Sequence, residues 1–263
     1  MTPKSSELKK LLKSPEKNRM LKLIQKITSL KIEIILNIVE NNNDKTIIEK
    51  LSKLVKKESL YTEDNNIKKA TYRWEKFLSP NINIKVKKIL DYGGNVGDYA
   101  YTYGKQLKLK KKDIYVMDIN DWAGEKWIPR KDITWIHSND THKIKHNSVD
   151  LIILQHVLHH INKKQFPDII SFFNNILTKT GTIVLYEHDS YDKNISNVID
   201  LEHILYDIVM SKKISYSDYF KNNYAEYFSL KEWIKIFSKY FKVSKILEIH
   251  NIDNSFYLFF KKI

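Results

Sequence analysis

Residues 89–98 read ILDYGGNVGD, a short apolar run that ends in an acid and then sets three glycines within five positions. The chain of 263 residues has only six glycines, so half of them fall on this one turn. A strand ending at Asp91 and a helix beginning near Gly97 need a connection whose backbone angles suit residues without a Cβ. Such a turn also leaves main-chain N–H groups bare, and the start of the following helix adds a favourable field for a bound ligand. Gly93, Gly94 and Gly97 therefore read as the floor of a nucleotide-type pocket.

The flanking sequence has a matching texture. From residue 86, β-branched runs alternate with helical patterns: VKKILDYG, DIYVMDI, ITWIHSN, VDLIILQHV and GTIVLYEHD. That alternation predicts βαβ units and a parallel sheet. Helices are expected near 97–107, 121–127 and 163–178, then near 197–212 and 229–240. Two closing runs, VSKILEI and SFYLFFKK, are joined by the turn-rich HNIDN and should pair antiparallel. The second strand ends in Asp118, twenty-one residues beyond Gly97, where a carboxylate can accept hydrogen bonds from both hydroxyls of a ribose. The third ends in Ser138-Asn139-Asp140, and Asp140 could receive a bond from an adenine amino group. Open α/β sheets bind their ligands at such carboxyl ends. An NAD-binding domain would want Gly-x-Gly-x-x-Gly, a spacing DYGGNVGD does not supply.

The order LDYGGNVGD, MDIND, HSND, SVDLIILQHVLHHI resembles the class I S-adenosylmethionine-dependent methyltransferases, whose first motif is D-x-G-x-G-x-G. The resemblance runs from about 86 to 263 and is strongest over 89–160. It implies a Rossmann-like, seven-stranded, mostly parallel sheet with an antiparallel last strand. It also implies S-adenosylmethionine as cofactor, held by Asp91, Gly93, Gly94, Gly97, Asp118, Ile119, Asn139, Asp140 and Gln155. Asn95 departs from the pattern, standing where the middle glycine usually sits; Asn is the non-glycine residue that best tolerates positive φ.

Residues 1–80 lie outside the resemblance and read as a helical extension to a methyltransferase domain at 81–263. Apolar residues recur at helical spacing in Met20, Leu23, Ile24, Ile27 and again in Ile47, Ile48, Leu51. Asn41 to Asp44 should break the pattern, and Ser79-Pro80 should close it. Residues 1–85 carry 19 Lys and Arg against 10 Asp and Glu, and the whole chain has a net charge of +14. Such a balance favours polyanionic partners, and RNA bound through the basic N-terminal segment is the expected one. A solvated basic face in an AT-biased sequence is the plainer reading, and a protein partner stays open. No cysteine is present, which excludes disulfides, thiolate metal sites and a cysteine nucleophile. The sequence shows no secretory signal and no apolar run of membrane-spanning length, so a soluble, cytoplasmic protein is expected.

The acceptor side should lie over the ends of the fourth and fifth strands. Methyl transfer is a direct displacement, so the protein mainly aligns the reactants and, where needed, takes a proton. His156, Glu187 and His188 are the candidate catalytic groups, and His160, Asp189 and Tyr206 the candidate acceptor contacts. His159 and His160 could equally pack and cap a helix. No HExxH-type spacing appears, and no metal is expected. No Asn-Pro-Pro-Tyr or Asp-Pro-Pro-Tyr follows the fourth strand, which argues against exocyclic-amine methylation of DNA bases. Cytosine C5 methylation needs a cysteine nucleophile, and no Lys-Asp-Lys-Glu set of ribose 2′-O methylation is evident. Capped or uncapped RNA, a small molecule, a protein side chain, and a catalytically inactive subunit of a larger complex remain as alternatives.

Overall fold

The computed structural model of the chain describes residues 8–55, 63–119, 131–210, 215–222, 224–249 and 254–263. Five helices come first: α1 (Leu8–Leu11), α2 (Lys17–Thr28), α3 (Ile32–Glu40), α4 (Asp44–Leu54) and α5 (Glu63–Arg73), the last running on into a π-turn at Trp74–Leu78. The alternating part follows as β1 (Ile89–Tyr92), α6 (Asp98–Gln106), β2 (Ile114–Asp118), β3 (Thr134–His137), β4 (Val149–Gln155), α7 (Phe166–Ile176) and β5 (Leu177–His188). Then come α8 (Lys193–Ile204) with a π-turn at Leu205–Met210, α9 (Tyr216–Asn222), α10 (Leu230–Phe237), β6 (Phe241–Ile249) and β7 (Ser255–Lys262). None of the described helices is long and apolar enough to cross a membrane.

The seven strands form one sheet in the order β3-β2-β1-β4-β5-β7-β6. β1 pairs in parallel with β2 and β4, β2 with β3, and β4 with β5. At the far edge Ile263 N–H donates to Tyr240 O, and the Ser244 hydroxyl donates to Phe259 O. The numbers of each pair have the same sum, as antiparallel strands require. The expected mostly parallel sheet with an antiparallel close is thus present. β1 and β4 read as unbroken apolar runs because helices cover both faces of a parallel sheet; Ile89, Leu90 and Leu151 through Leu154 are fully buried. Strand order reverses between β1 and β4, the kind of switch point beyond whose carboxyl ends open α/β sheets bind ligands.

Local chemistry fixes the ends of the helices. α4 begins where Asn43 accepts the Thr46 amide proton at 2.9 Å, within the expected break at 41–44. A second break, unread in the sequence, falls at Ser29, whose left-handed φ of 58° ends α2. The helix expected at 163–178 is two elements. A 3-10 turn at Lys163–Gln165 leads into α7, which starts on Phe166-Pro167 and buries Phe166, Ile170, Phe173 and Ile176 along one stripe. Leu177 then already pairs with Val149, so the fifth strand starts four residues before Gly181. The helix expected near 121–127 lies outside the described residues.

Contacts divide the described residues into two compact units. One takes its residues from Met1–Leu60, His188–Leu230 and His250–Ser255, the other from Tyr61–Glu187, Lys231–Ile249 and Phe256–Ile263. The sequence division at residue 80 differs in two places: α5 belongs with the sheet, and the stretch after β5 belongs with the N-terminal helices. The reason is apolar matching. The helical unit has its own core, in which Met20, Leu23, Ile24, Ile35, Val39, Ile47, Ile48 and Leu51 pack with Val198, Leu201, Leu205 and Val209. The sheet unit is held by a separate core that includes Ile89, Val116, Leu151, Val184, Tyr257 and Phe259.

Leu201 sits in the helical core at 2% exposure. Truncation there leaves a cavity, so Leu201→Ala is expected to lower stability by about 2–4 kcal/mol in urea denaturation.

Candidate active site

The turn after β1 is built tightly from below. Gly93 and Gly97 take φ values of 73° and 92°, and Asn95 between them takes 53°. A Cβ on Gly93 would lie 2.1 Å from Cγ2 of Val157, so the loop after β4 reaches the turn only because that side chain is missing. A Cβ on Gly94 would sit 2.8 Å from the Asp91 carboxyl. The turn is tied to the second strand at two points: Gly93 N–H donates to Met117 O at 2.7 Å, and Asn95 N–H donates to Oδ2 of Asp118 at 2.8 Å. Asn95 thus keeps the positive φ of the position it fills and aims its amide at the acid expected to hold a ribose.

Asp91 is buried at 2% exposure, and burial first, then the nearby negative charge of Asp118, push its carboxyl up to about 7, against a hydrogen bond from the Ala100 backbone. Asp118 ends β2 nearly buried, and Ile119 after it is 75% exposed. At the tip of β3, Asn139 is exposed and its N–H donates to Nδ1 of His137. Asp140 precedes a 3-10 turn and pairs with Lys143 at 2.6 Å, a bond that draws its carboxyl below the usual range. Asp91, the three glycines, Asp118 and the β3 tip therefore lie on adjacent strand ends of one unit, as expected from their positions in the chain.

Gln155 closes β4, and its Oε1 accepts from Arg73 Nη1 at 3.0 Å and from the Tyr103 hydroxyl at 3.1 Å. His156 follows at a φ of 50°, in the left-handed region that few non-glycine residues adopt. Its N–H donates to Tyr186 O at 2.9 Å, and its ring stands edge-on to Tyr186 with centroids 4.3 Å apart. Glu187 is fully buried. Its Oε1 accepts the amide protons of Val157 and Leu158, and its Oε2 lies 2.6 Å from Nδ1 of buried His159. The carboxylate thus braces the loop that carries His156. His160, next along, is exposed.

The remaining expected residues belong to the helical unit. His188 is buried at the end of β5, its ring edge-on to those of His203 and Tyr227 at 5.7 and 6.2 Å. The Tyr227 hydroxyl donates to Oδ1 of Asp200 at 2.9 Å and lies 2.9 Å from Nδ1 of His203. Burial raises Asp200 to about 6, against the Tyr227 bond. Asp189 Oδ1 accepts the Leu230 amide proton at the start of α10, and Tyr206 packs half-buried against the helical core. Arg73 and Asp200 were not singled out by the sequence. Both work through partners distant in the chain, Arg73 through a residue 82 positions away.

Residues 64–240 match the family model described as "Methyltransferase domain". The chain belongs to that family. The match takes in α5 and Arg73, and so begins ahead of the motif-based resemblance at 86. No curated protein matches the chain. Among solved structures, a SAM-dependent methyltransferase from Archaeoglobus fulgidus is 10% identical with a TM-score of 0.53, covering 74% of this chain and 94% of its own. A SAM-dependent methyltransferase from Methanosarcina mazei is 15% identical with a TM-score of 0.51, covering 71% and 97%. The geranyl diphosphate C-methyltransferase of Streptomyces coelicolor A3(2), solved with Mg2+, geranyl diphosphate and S-adenosyl-L-homocysteine, is 10% identical with a TM-score of 0.51, covering 78% and 86%. At these identities the likeness is one of fold, the class I methyltransferase fold.

Asp91 gives the methyltransferase domain a pH signature. A folded-state value of about 7, against the ordinary carboxyl value of 3.8, means that its contribution to stability is fully present below pH 3.8 and is lost as pH rises through about 7. Asp91→Asn should therefore gain stability over wild type between pH 5 and pH 8, on the order of 3 kcal/mol, measured by denaturation at both pH values.

Proposed function

We propose that this chain transfers a methyl group from S-adenosylmethionine, with Asp118 holding the ribose and the bare turn at 93–97 receiving the amino-acid end. The observation that carries this reading is the thin glycine turn, hydrogen-bonded through Asn95 to the Asp118 carboxylate at the neighbouring strand tip. The residues fit such a group by their chemistry: a buried acid beneath the turn and a carboxylate at the second strand suit a cationic nucleoside. Ile119 and Asn139 flank the base, and Asp140, released from Lys143, meets its amino group. Gln155 stands on the other side of the turn.

When bound, the donor supplies an electrophilic methyl carbon on a sulfonium. In the sheet unit, His156, held at the β4 tip by the Glu187-braced loop, is the group assigned to take a proton from the acceptor; in the helical unit, His188 is kept as the candidate for that role. Glu187 acts through the loop it anchors. His160, Asp189 and Tyr206 are kept as acceptor contacts.

RNA is the acceptor we favour, on the surplus of nine positive charges in residues 1–85. A small polar acceptor is the second reading, favoured by the hydrogen-bonded Asp200–Tyr227–His203 set inside the helical unit.

Calorimetric titration with S-adenosylhomocysteine tests the donor. Asp118→Ala is expected to weaken binding by about 1–3 kcal/mol, because it strips a partner from buried hydroxyls; unchanged affinity removes Asp118 from the site. No heat at all from a folded wild-type protein would favour a catalytically silent subunit that works through a protein partner. Gel shifts with capped and uncapped RNA across 50–200 mM salt test the acceptor: binding through phosphates should weaken steeply as salt rises, and an absent shift leaves the small acceptor.

A further inference from the structure

The parallel strands β1 to β5 all enter the sheet from one edge, opposite the carboxyl ends that carry the site, and lysines crowd that entry. Lys110, Lys111 and Lys112 lead into β2, and Lys87 and Lys88 into β1. Lys145 precedes β4, and Lys179 stands among the first residues of β5. β7 runs the other way, and its last residues, Lys261 and Lys262, reach back to the start of β5. Since β2, β1, β4, β5 and β7 are consecutive in the sheet, these lysines form a row about 19 Å long at the usual strand spacing.

The acids of these strand ends leave the row uncompensated. Oδ2 of Asp150 accepts the amide protons of Lys87 and Lys88, and Oδ1 accepts from the Thr178 hydroxyl. Among the described residues, no carboxylate lies within ion-pair distance of any lysine in the row. Neutral groups hold three of them in place instead. Lys261 Nζ donates to Thr180 O at 3.1 Å and to the Thr182 hydroxyl at 2.6 Å. Lys262 Nζ donates to Leu177 O at 2.7 Å and to Asn147 Oδ1 at 3.3 Å. Lys88 Nζ stands 5.2 Å from the ring centroid of Tyr115. Burial first, then the charge of Lys179, lower the Lys262 ammonium below its ordinary value. The edge thus carries fixed cations that repel one another, a cost that an anion lying along the row would relieve.

The shape of the row selects the anion. A sheet edge is a line, and so is a phosphate backbone, with a charge about every 3.4 Å along each strand of a duplex. A lipid surface is a plane and gains from apolar side chains set among the cations. Among the described residues on this edge, Ile263 is the one exposed large aliphatic side chain. We propose that the amino edge of the sheet binds the phosphate backbone of RNA. This rests on RNA as the partner favoured above and gives it a grip on the sheet unit, distinct from the basic N-terminal segment. β4 is seven residues, about 23 Å, from end to end, so RNA held on this edge leaves the donor site open.

Fluorescence anisotropy of a short labelled, uncapped RNA with the full chain, between about 50 and 200 mM KCl, tests the row. Lys111→Gln/Lys145→Gln/Lys179→Gln is expected to lower the salt slope by about two, at about 0.7 per phosphate contact, and to weaken binding by about 10- to 100-fold near 100 mM. Arginine at the same three positions should restore it. S-adenosylhomocysteine binding by the glutamine variant should match wild type, which shows the fold intact, and saturating S-adenosylhomocysteine should leave RNA affinity unchanged. Lys22→Gln/Lys26→Gln/Lys53→Gln removes the same charge from the helical unit; an equal loss there reports net charge alone and overturns the proposal. Wild-type affinity in the edge variant overturns it while the RNA reading stands. RNA displaced by S-adenosylhomocysteine lies at the donor site and overturns it too. Wild type that binds no RNA at about 50 mM salt overturns it together with the RNA reading, and sedimentation of that protein with phosphatidylserine vesicles would give the row to lipid.

Discussion

The site depends on a steric constraint: the turn between β1 and α6 must be thin enough to lie against Val157 on one side and the Asp91 carboxyl on another. Any side chain on Gly93 would overlap Val157, and any on Gly94 would press on Asp91. With the side chains gone, backbone amides become the working surface. One of them, at Asn95, reaches Asp118. The same absence of bulk that allows packing from beneath therefore lets the turn's own amides reach the neighbouring strand, and the two strand tips are locked in register by a bond that runs through the turn itself.

The loop after β4 is shaped by a different economy. Glu187 is a buried acid whose oxygens meet two backbone amides and a histidine ring. Charge-assisted bonds of this kind are stronger than neutral ones and hold geometry well. They stabilise a segment whose first residue, His156, has the left-handed backbone that otherwise costs energy. A strained residue thus stays fixed beside Tyr186 because the residues after it are anchored.

The sheet was legible because parallel strands buried on both faces write themselves as unbroken apolar runs, and Asp118 and Asp140 could be located as the ends of those runs. The helix at 163–178 was misjudged at both ends, since a 3-10 turn and the first residues of β5 share its apolar pattern. Arg73 was not legible at all. Nothing around ATYRWEK distinguishes a surface arginine from one that meets a glutamine 82 residues away. Glu187 was visible as a polar residue leaving an apolar strand, yet its bracing role depends on amides from another strand's loop. The division at residue 80 followed a change of texture, whereas the helical unit follows apolar complementarity between segments that local pattern does not connect.

That discontinuous helical core has a consequence for how the chain matures on the ribosome. The sticky faces of α2 and α4 emerge early, but their counterparts at Val198 to Val209 are encoded roughly 150 residues later. At about 5–20 residues per second, translation leaves those faces exposed for roughly 10–30 seconds. A nascent chain of this layout has a built-in waiting period, during which a chaperone would serve in place of the missing half.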